Sequence, residues 1–184
     1  MKALRWNSLE VLAVISSLLY TILLSYESIW SWLFAVLASV FFSILCFRRK
    51  IYAELALQGF YLATAVYGYL NWGAEFKTLP PLDLNIHLYI IAACILLIGL
   101  SGYALSHFTD SKLPYLDSFT TISSIAATIL MVNFYPENWI YWIVIDTVSI
   151  WLYFQRGLKL SALLFLIYTL LSINGYLLWS GALS

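Results

Sequence analysis

The sequence predicts an all-α integral membrane protein with seven transmembrane helices. Three observations carry that reading. First, 63% of the 184 residues are hydrophobic and only 10% are charged, with a mean hydropathy of +0.89; soluble domains carry roughly 45–50% apolar and about 25% charged residues. Second, the apolar residues gather in seven runs, each near the roughly 20 residues that a spanning helix needs. Third, these runs show no period-two alternation. A backbone in lipid must also satisfy its own hydrogen bonds, so the runs read as helices. The same composition excludes a soluble globular protein, a disordered chain and a nucleic-acid binder. Nine Lys and Arg balance nine Asp and Glu, so no polyanion partner is implied.

The predicted spans are 9–26, 29–47, 52–72, 86–106, 115–135, 139–155 and 160–180. They are separated by Tyr26-Glu27-Ser28, by Arg48-Arg49-Lys50, by the Gly73–Asn85 loop with Pro80-Pro81, by 109–114, by Pro136-Glu137-Asn138 and by 155–159. The first span follows Lys2 and Arg5 as a signal peptide would, but no small-residue cleavage site follows it, so it is kept as a helix. With seven spans, Lys2, Arg5, Arg48, Arg49, Lys50, Lys112, Arg156 and Lys159 fall on one side and only Lys77 on the other. The positive-inside rule then places the N-terminus in the cytoplasm and the C-terminus outside, in a multi-pass protein of the cell (inner) membrane.

The spans repeat. The second and sixth align at an offset of 110, pairing Glu27 with Glu137, Trp32 with Trp142 and Ser39 with Ser149. The third and seventh align at 107, pairing Tyr61 with Tyr168, Gly68 with Gly175, Tyr69 with Tyr176 and Trp72 with Trp179. Leucine matches are cheap in this composition; Trp, Gly and Tyr in one register are not. The chain thus divides into a first three-helix repeat (1–73), a linker with the fourth helix (74–111) and a second three-helix repeat (112–184). Parallel repeats of this kind mark some transporters, with the substrate near the midplane between the halves. A duplicated, non-transporting membrane subunit has the same pattern.

Polar residues fall in stripes at helical spacing. The third span carries Glu54, Gln58, Tyr61, Gly68 and Trp72 on one face. The fifth carries Asp117, Thr121, Ser124 and Thr128, and the sixth Trp139, Trp142, Asp146, Ser149 and Tyr153. The seventh carries Ser161, Tyr168, Ser172 and Gly175, with Asn174 adjacent. A central charge costs about 2.5–3.5 kcal/mol on insertion scales, so such faces belong in a bundle interior or a wet cavity. The fourth span is nearly all apolar from Ile90 to Leu100, which suits a helix outside the cavity, and its Gly99, Ser101 and Gly102 suit close packing.

The stripes describe a ligand. Trp139, Trp142, Tyr61 and Tyr168 suit stacking on an aromatic ring or holding a cation. Asp146 or Glu54 balances one positive charge, and Gln58, Asn174, Thr121 and Ser124 suit bonds to hydroxyls. The implied ligand is small, flat, hydroxylated and neutral or singly cationic. A phosphorylated ligand calls for Arg or Lys, and no stripe contains one. Plainer roles stand beside these. Trp139 equally suits an interfacial belt, Trp72 and Trp179 read as belt residues, and Tyr61 and Tyr168 suit simple packing. Glu54 also lies near a span end, within reach of interfacial water. No phosphate loop, nucleophile elbow or metal cluster is present, and His87 and His107 stand at opposite ends of the fourth span. Cys46 and Cys94 read as small core residues. An enzyme, a metal site and a cofactor are not expected; proton coupling through Asp146 stays open.

The sequence resembles the PnuC family of vitamin transporters over nearly its whole length. The resemblance rests on Ile29-Trp30-Ser31-Trp32, on Lys50-Ile51-Tyr52-Ala53-Glu54 with Gln58, Tyr61 and Tyr67-Gly68, and on Leu113-Pro114-Tyr115-Leu116-Asp117 with Thr121 and Ser124. It rests further on Asn138-Trp139 to Trp142 with Asp146, and on Gly157-Leu158, Ala162-Leu163-Leu164, Tyr168 and Gly175-Tyr176. It implies a three-one-three architecture like that of SWEET sugar transporters. It also implies facilitated diffusion of an unphosphorylated vitamin, foremost nicotinamide riboside, trapped by a cytoplasmic kinase. The implied site comprises Trp139, Trp142, Asp146, Gln58, Tyr61, Thr121 and Tyr168. Relatives of the family carry thiamine or riboflavin instead. The chain departs from many riboside transporters in having Trp32-Leu33-Phe34-Ala35 where they have Trp-Pro-x-Gly, and its Asn133-Phe134-Tyr135-Pro136 connection lacks a basic residue. A homo-oligomer is compatible with this reading.

Overall fold

The computed structural model describes residues 8–49, 52–72, 79–109, 111–155 and 159–181. Seven α-helices follow one another: α1 (Ser8–Ser25), α2 (Trp30–Arg49), α3 (Tyr52–Asn71), α4 (Leu84–Phe108), α5 (Pro114–Val132), α6 (Asn138–Gln155) and α7 (Lys159–Trp179). Among the described residues there is no strand. α4, α5 and the 162–179 part of α7 are long and apolar enough to cross a membrane, with mean hydropathies of 2.3, 1.4 and 1.7. α1 and α2 contain the shorter apolar stretches Val11–Ser25 and Trp30–Leu45. Of the cations used to orient the chain, Lys2, Arg5, Lys50, Lys77 and Arg156 lie outside the described residues.

Local chemistry sets the helix ends. Pro114 opens α5, where its missing N–H costs nothing. Asp117 lies in the same first turn, where a carboxylate complements the helix dipole, and its Oδ2 accepts a 2.7 Å hydrogen bond from the Ser111 hydroxyl. α1 stops in a left-handed turn at Glu27 (φ 58°): the Glu27 N–H donates to Leu24 O and the Ser28 N–H to Leu23 O. α5 stops the same way at Phe134 (φ 64°), with Phe134 N–H on Met131 O and Tyr135 N–H on Leu130 O. Both are Schellman closures with a side chain where glycine is usual. The expected fifth span ran to residue 135; this turn ends α5 at Val132.

The chain folds as two compact units, 1–76 and 77–184. In the first, α2 packs on both α1 and α3. Its core is built from Ala13 and Leu24 of α1, Trp32, Ala35, Ala38 and Leu45 of α2, and Ala65 with Trp72 at the end of α3. In the second, α6 packs on α5 and α7, and α4 packs on α5. Small residues bring the helices close, as lipid-embedded helices require when no hydrophobic effect drives them together. Gly102 is the buried residue of α4, and a Cβ there would overlap the ring of Tyr115 on α5. Gly99 faces open space instead, so only one of the two α4 glycines serves close packing.

Matching details recur 107 residues apart. Glu27 and Phe134 share the left-handed turn. The Thr21 hydroxyl donates to Ser17 O at 3.1 Å, and the Thr128 hydroxyl to Ser124 O at 2.7 Å. Trp32 fills the notch at Gly68 and meets Trp72 edge-on at 4.9 Å; Trp139 fills the notch at Gly175 and meets Trp179 edge-on at 5.6 Å. At this offset Trp32 pairs with Trp139, whereas the offset of 110 expected from sequence for α2 and α6 pairs it with Trp142. Trp72 and Trp179 are 2% and 3% exposed, so they are packing residues and not the belt anchors that their positions near span ends suggested.

Candidate functional site

The sequence candidates of the second unit lie on three packed helices. On α6, Trp142 and Asp146 stand one turn apart on one face. Asp146 is 4% exposed, and the Ser172 hydroxyl of α7 donates to its carboxylate. Tyr168 stands one turn before Ser172 on α7 and is half-buried, with its ring 6.0 Å from that of Phe165. Asn174 is half-buried as well. On α5, Ser124 and Thr128 are buried, and the Thr128 hydroxyl is spent on its own helix backbone. Thr121, expected on the same stripe, is exposed.

The two tryptophans differ. Trp139 is 1% exposed, wedged at Gly175 with its ring edge-on to Trp179. Its indole Nε1 is a buried donor with no hydrogen-bond partner, and Oδ1 of Asn138, the preceding residue, is an unpartnered buried acceptor. Trp142 is only half-buried. The wedge role of Trp139 is met again by Trp32 in the first unit. By the 107 register, Trp142 corresponds to Ala35 and Asp146 to Ser39, so the aromatic and the carboxylate belong to the second unit alone.

In the first unit, Gln58 is buried and Tyr61 half-buried on α3, with the Tyr61 ring 5.8 Å from Phe60. The side chain of Glu54 lies outside the described residues. Tyr20 of α1 lies 6.3 Å from Trp32.

Sequence reasoning passed over two features. Ser172 was placed on the α7 stripe but not among the site residues; its spacing of four from Tyr168 was the available signal. The second is a polar cluster where α4 begins. His87 Nδ1 lies 2.9 Å from the Tyr141 hydroxyl, and His87 Nε2 lies 3.9 Å from Glu137 Oε1, which also accepts the Leu82 N–H at 2.9 Å. Fifty or more positions separate the partners, and no spacing rule reaches that far.

Comparison with known proteins fits this arrangement. The chain is 28% identical over 202 residues to the nicotinamide riboside transporter PnuC of Escherichia coli (strain K12), covering 93% of this chain and 84% of that protein. It is 26% identical over 188 residues to the nicotinamide riboside transporter PnuC of Neisseria mucosa, covering 94% of this chain and 72% of that one. A crystal structure of the vitamin B3 transporter PnuC shares the fold, with a TM-score of 0.75 at 24% identity over 95% of this chain and 81% of the other. The model of the nicotinamide mononucleotide transporter family matches residues 7–181. The chain is a multi-pass membrane protein of that family, a family of transporters and not of enzymes.

Proposed function

We propose that this chain carries nicotinamide riboside across the membrane by facilitated diffusion, with a cytoplasmic kinase trapping the vitamin as its phosphate. The observation that carries the reading is Asp146. A carboxylate buried on a membrane helix, held by Ser172 and one turn from the half-buried Trp142, suits a ligand that is flat, aromatic and cationic. The pyridinium of nicotinamide riboside has all three properties. The curated relatives named above are riboside transporters by name.

The mononucleotide of the family's description fits less well. Its phosphate adds negative charge, and between their ends the seven helices carry Asp146 but no Lys or Arg. Trp139 Nε1 and Asn138 Oδ1 offer one donor and one acceptor to ribose hydroxyls. Ser124, Thr121, Tyr168 and Asn174 join the proposed contacts of the second unit, and Gln58, Tyr61 and Glu54 of α3 are proposed, from their stripe in the sequence, as contacts of the first.

The three-one-three arrangement of two parallel repeats is part of the same proposal. The paired turns, hydroxyl bonds and Trp–Gly wedges at one offset of 107 support it. The N-terminus-inside orientation, read from charge bias, belongs to the same proposal.

Thiamine is also a flat single cation, so Asp146 suits it too. Titration of tryptophan fluorescence in the purified chain with nicotinamide riboside, nicotinamide mononucleotide, thiamine and riboflavin separates the ligands. Saturable quenching by the riboside alone supports the reading. A preference for the mononucleotide or riboflavin overturns the argument from Asp146, and a preference for thiamine keeps the site and changes the substrate.

A further inference from the structure

A cavity in the second unit is lined by none of the proposed substrate contacts. It has a volume of about 480 Å³ and is formed by α4, α5 and α6. That volume is within the range of small-molecule sites. Along α4 it is lined by His87, Ile91, Ile95 and Ile98, which repeat at helical spacing on one face. His87 and Ile98 stand eleven positions apart, roughly 16 Å along the helix axis. One leaflet of a bilayer is half of a hydrocarbon core about 30 Å thick, or roughly 15 Å. The groove therefore begins at a polar end, where the 79–83 segment enters α4, and runs inward for the depth of one leaflet.

The polar end presents a carboxyl group. Glu137 and Tyr141 line it together with His87. Glu137 Oε1 is engaged by the Leu82 N–H and faces His87, but Glu137 Oε2 is buried with no hydrogen-bond partner. Asp83, the residue before α4, adds a second carboxylate near this end of the chain segment. An unpaired carboxylate oxygen in a cavity asks for a donor, and a cationic donor suits it best. An anionic headgroup is repelled there.

We propose that this groove is a lipid site. It takes one acyl chain of an aminophospholipid, with the lipid's ammonium donating to Glu137 beside the His87–Tyr141 pair and the chain lying along Ile91, Ile95 and Ile98. Two features fix the occupant: a length that matches one leaflet and an unpartnered carboxylate oxygen at the headgroup end. A seated chain fills the space between α4 and α6 beyond the His87–Tyr141 pair where the two helices meet.

The test uses the full chain, delipidated in detergent and returned to phosphatidylethanolamine or phosphatidylglycerol, with retained lipid counted by native mass spectrometry. One phosphatidylethanolamine per chain is expected, in preference to phosphatidylglycerol. Ile95→Trp fills the groove from a largely exposed position and abolishes that retention. Glu137→Gln keeps the shape and lowers the preference by about tenfold, the value of one charged hydrogen bond. In a Cys46→Ser background, phosphatidylethanolamine slows alkylation of Cys94, which also lines the groove; this readout needs no change within the site. Equal retention by Ile95→Trp and the parent chain overturns the proposal, as does alkylation of Cys94 at the same rate with and without lipid. If Ile95→Trp instead dissociates an oligomer and leaves lipid counts unchanged, a second copy of the chain occupies the groove and the lipid site is refuted.

Discussion

Trp139 sits where a side chain on Gly175 would have to be: a Cβ built on Gly175 overlaps the indole of Trp139. α6 and α7 approach at this point because one residue is the largest available and the other the smallest. Gly175→Ala drives a methyl group into the ring and is expected to cost about 1–3 kcal/mol, the usual range for overpacking. Trp139→Phe empties part of the notch, so the double variant should recover stability relative to the sum of the two single changes. Thermal unfolding in detergent measures all four members of the cycle. Strict additivity would show that the two residues do not meet. The same cycle at Gly68 and Trp32 tests the wedge in the first unit.

Glu27 offers a stabilising change. It holds φ 58° at the end of α1, a conformation that costs an L-residue roughly 1–2 kcal/mol and glycine little. Glu27→Gly should raise stability by about 1 kcal/mol, after glycine's extra unfolded-state entropy is offset. Its charge adds a pH dependence. Partial burial raises the Glu27 carboxyl above its ordinary value, so the native state holds this proton to higher pH than the unfolded chain does. Stability at this site is therefore greatest below the ordinary carboxylate range and falls as pH rises through it. Glu27→Gln should flatten that slope. An unchanged slope in the variant would assign the pH dependence to other groups.

Most of the helix pattern was legible in the sequence, because apolar run length is a direct statement about spanning helices. What escaped was set by contacts between distant residues. The sequence pairs α2 with α6 at 110 because Glu27 with Glu137 and Trp32 with Trp142 are good letter matches. The structure ranks instead the left-handed turns at Glu27 and Phe134 and the wedges at Gly68 and Gly175. A tryptophan near a span end looks the same in sequence whether it faces headgroups or a neighbouring ring, so Trp72 and Trp179 read as belt residues although they are buried. Asp146 was legible because a lone carboxylate in an apolar run is conspicuous. Its Ser172 partner was not, since serines recur throughout these helices.

The two glycines of α4 give a contrast. Gly102 faces the Tyr115 ring, while Gly99 has nothing within reach of an added Cβ. Gly102→Leu should prise α4 from α5 and destabilise the second unit by about 1–3 kcal/mol or more. Gly99→Ala should be neutral or slightly stabilising, since alanine is the better helix former by about 1 kcal/mol. Unfolding midpoints of the two variants decide the matter. A Gly99→Ala variant less stable than Gly102→Leu would mean that α4 presents a different face to α5.

Asp146→Asn is the decisive change for ligand charge. It keeps the size of the side chain and an acceptor for Ser172, and removes one negative charge from a buried position. If the carboxylate balances a ligand cation, affinity for nicotinamide riboside should fall by about 1–3 kcal/mol, in the range of charged hydrogen bonds. Binding of a neutral analogue, with the pyridinium reduced to a dihydropyridine, should change far less, because the lost attraction was to the charge and not to the ring. Ser172→Ala should have a smaller effect of the same kind, since it loosens the carboxylate without removing it. Fluorescence titration of the folded variants reads all of these affinities. Equal losses for the cation and the neutral analogue would make Asp146 a packing or hydrogen-bonding residue, and the cationic character of the substrate would then need another source.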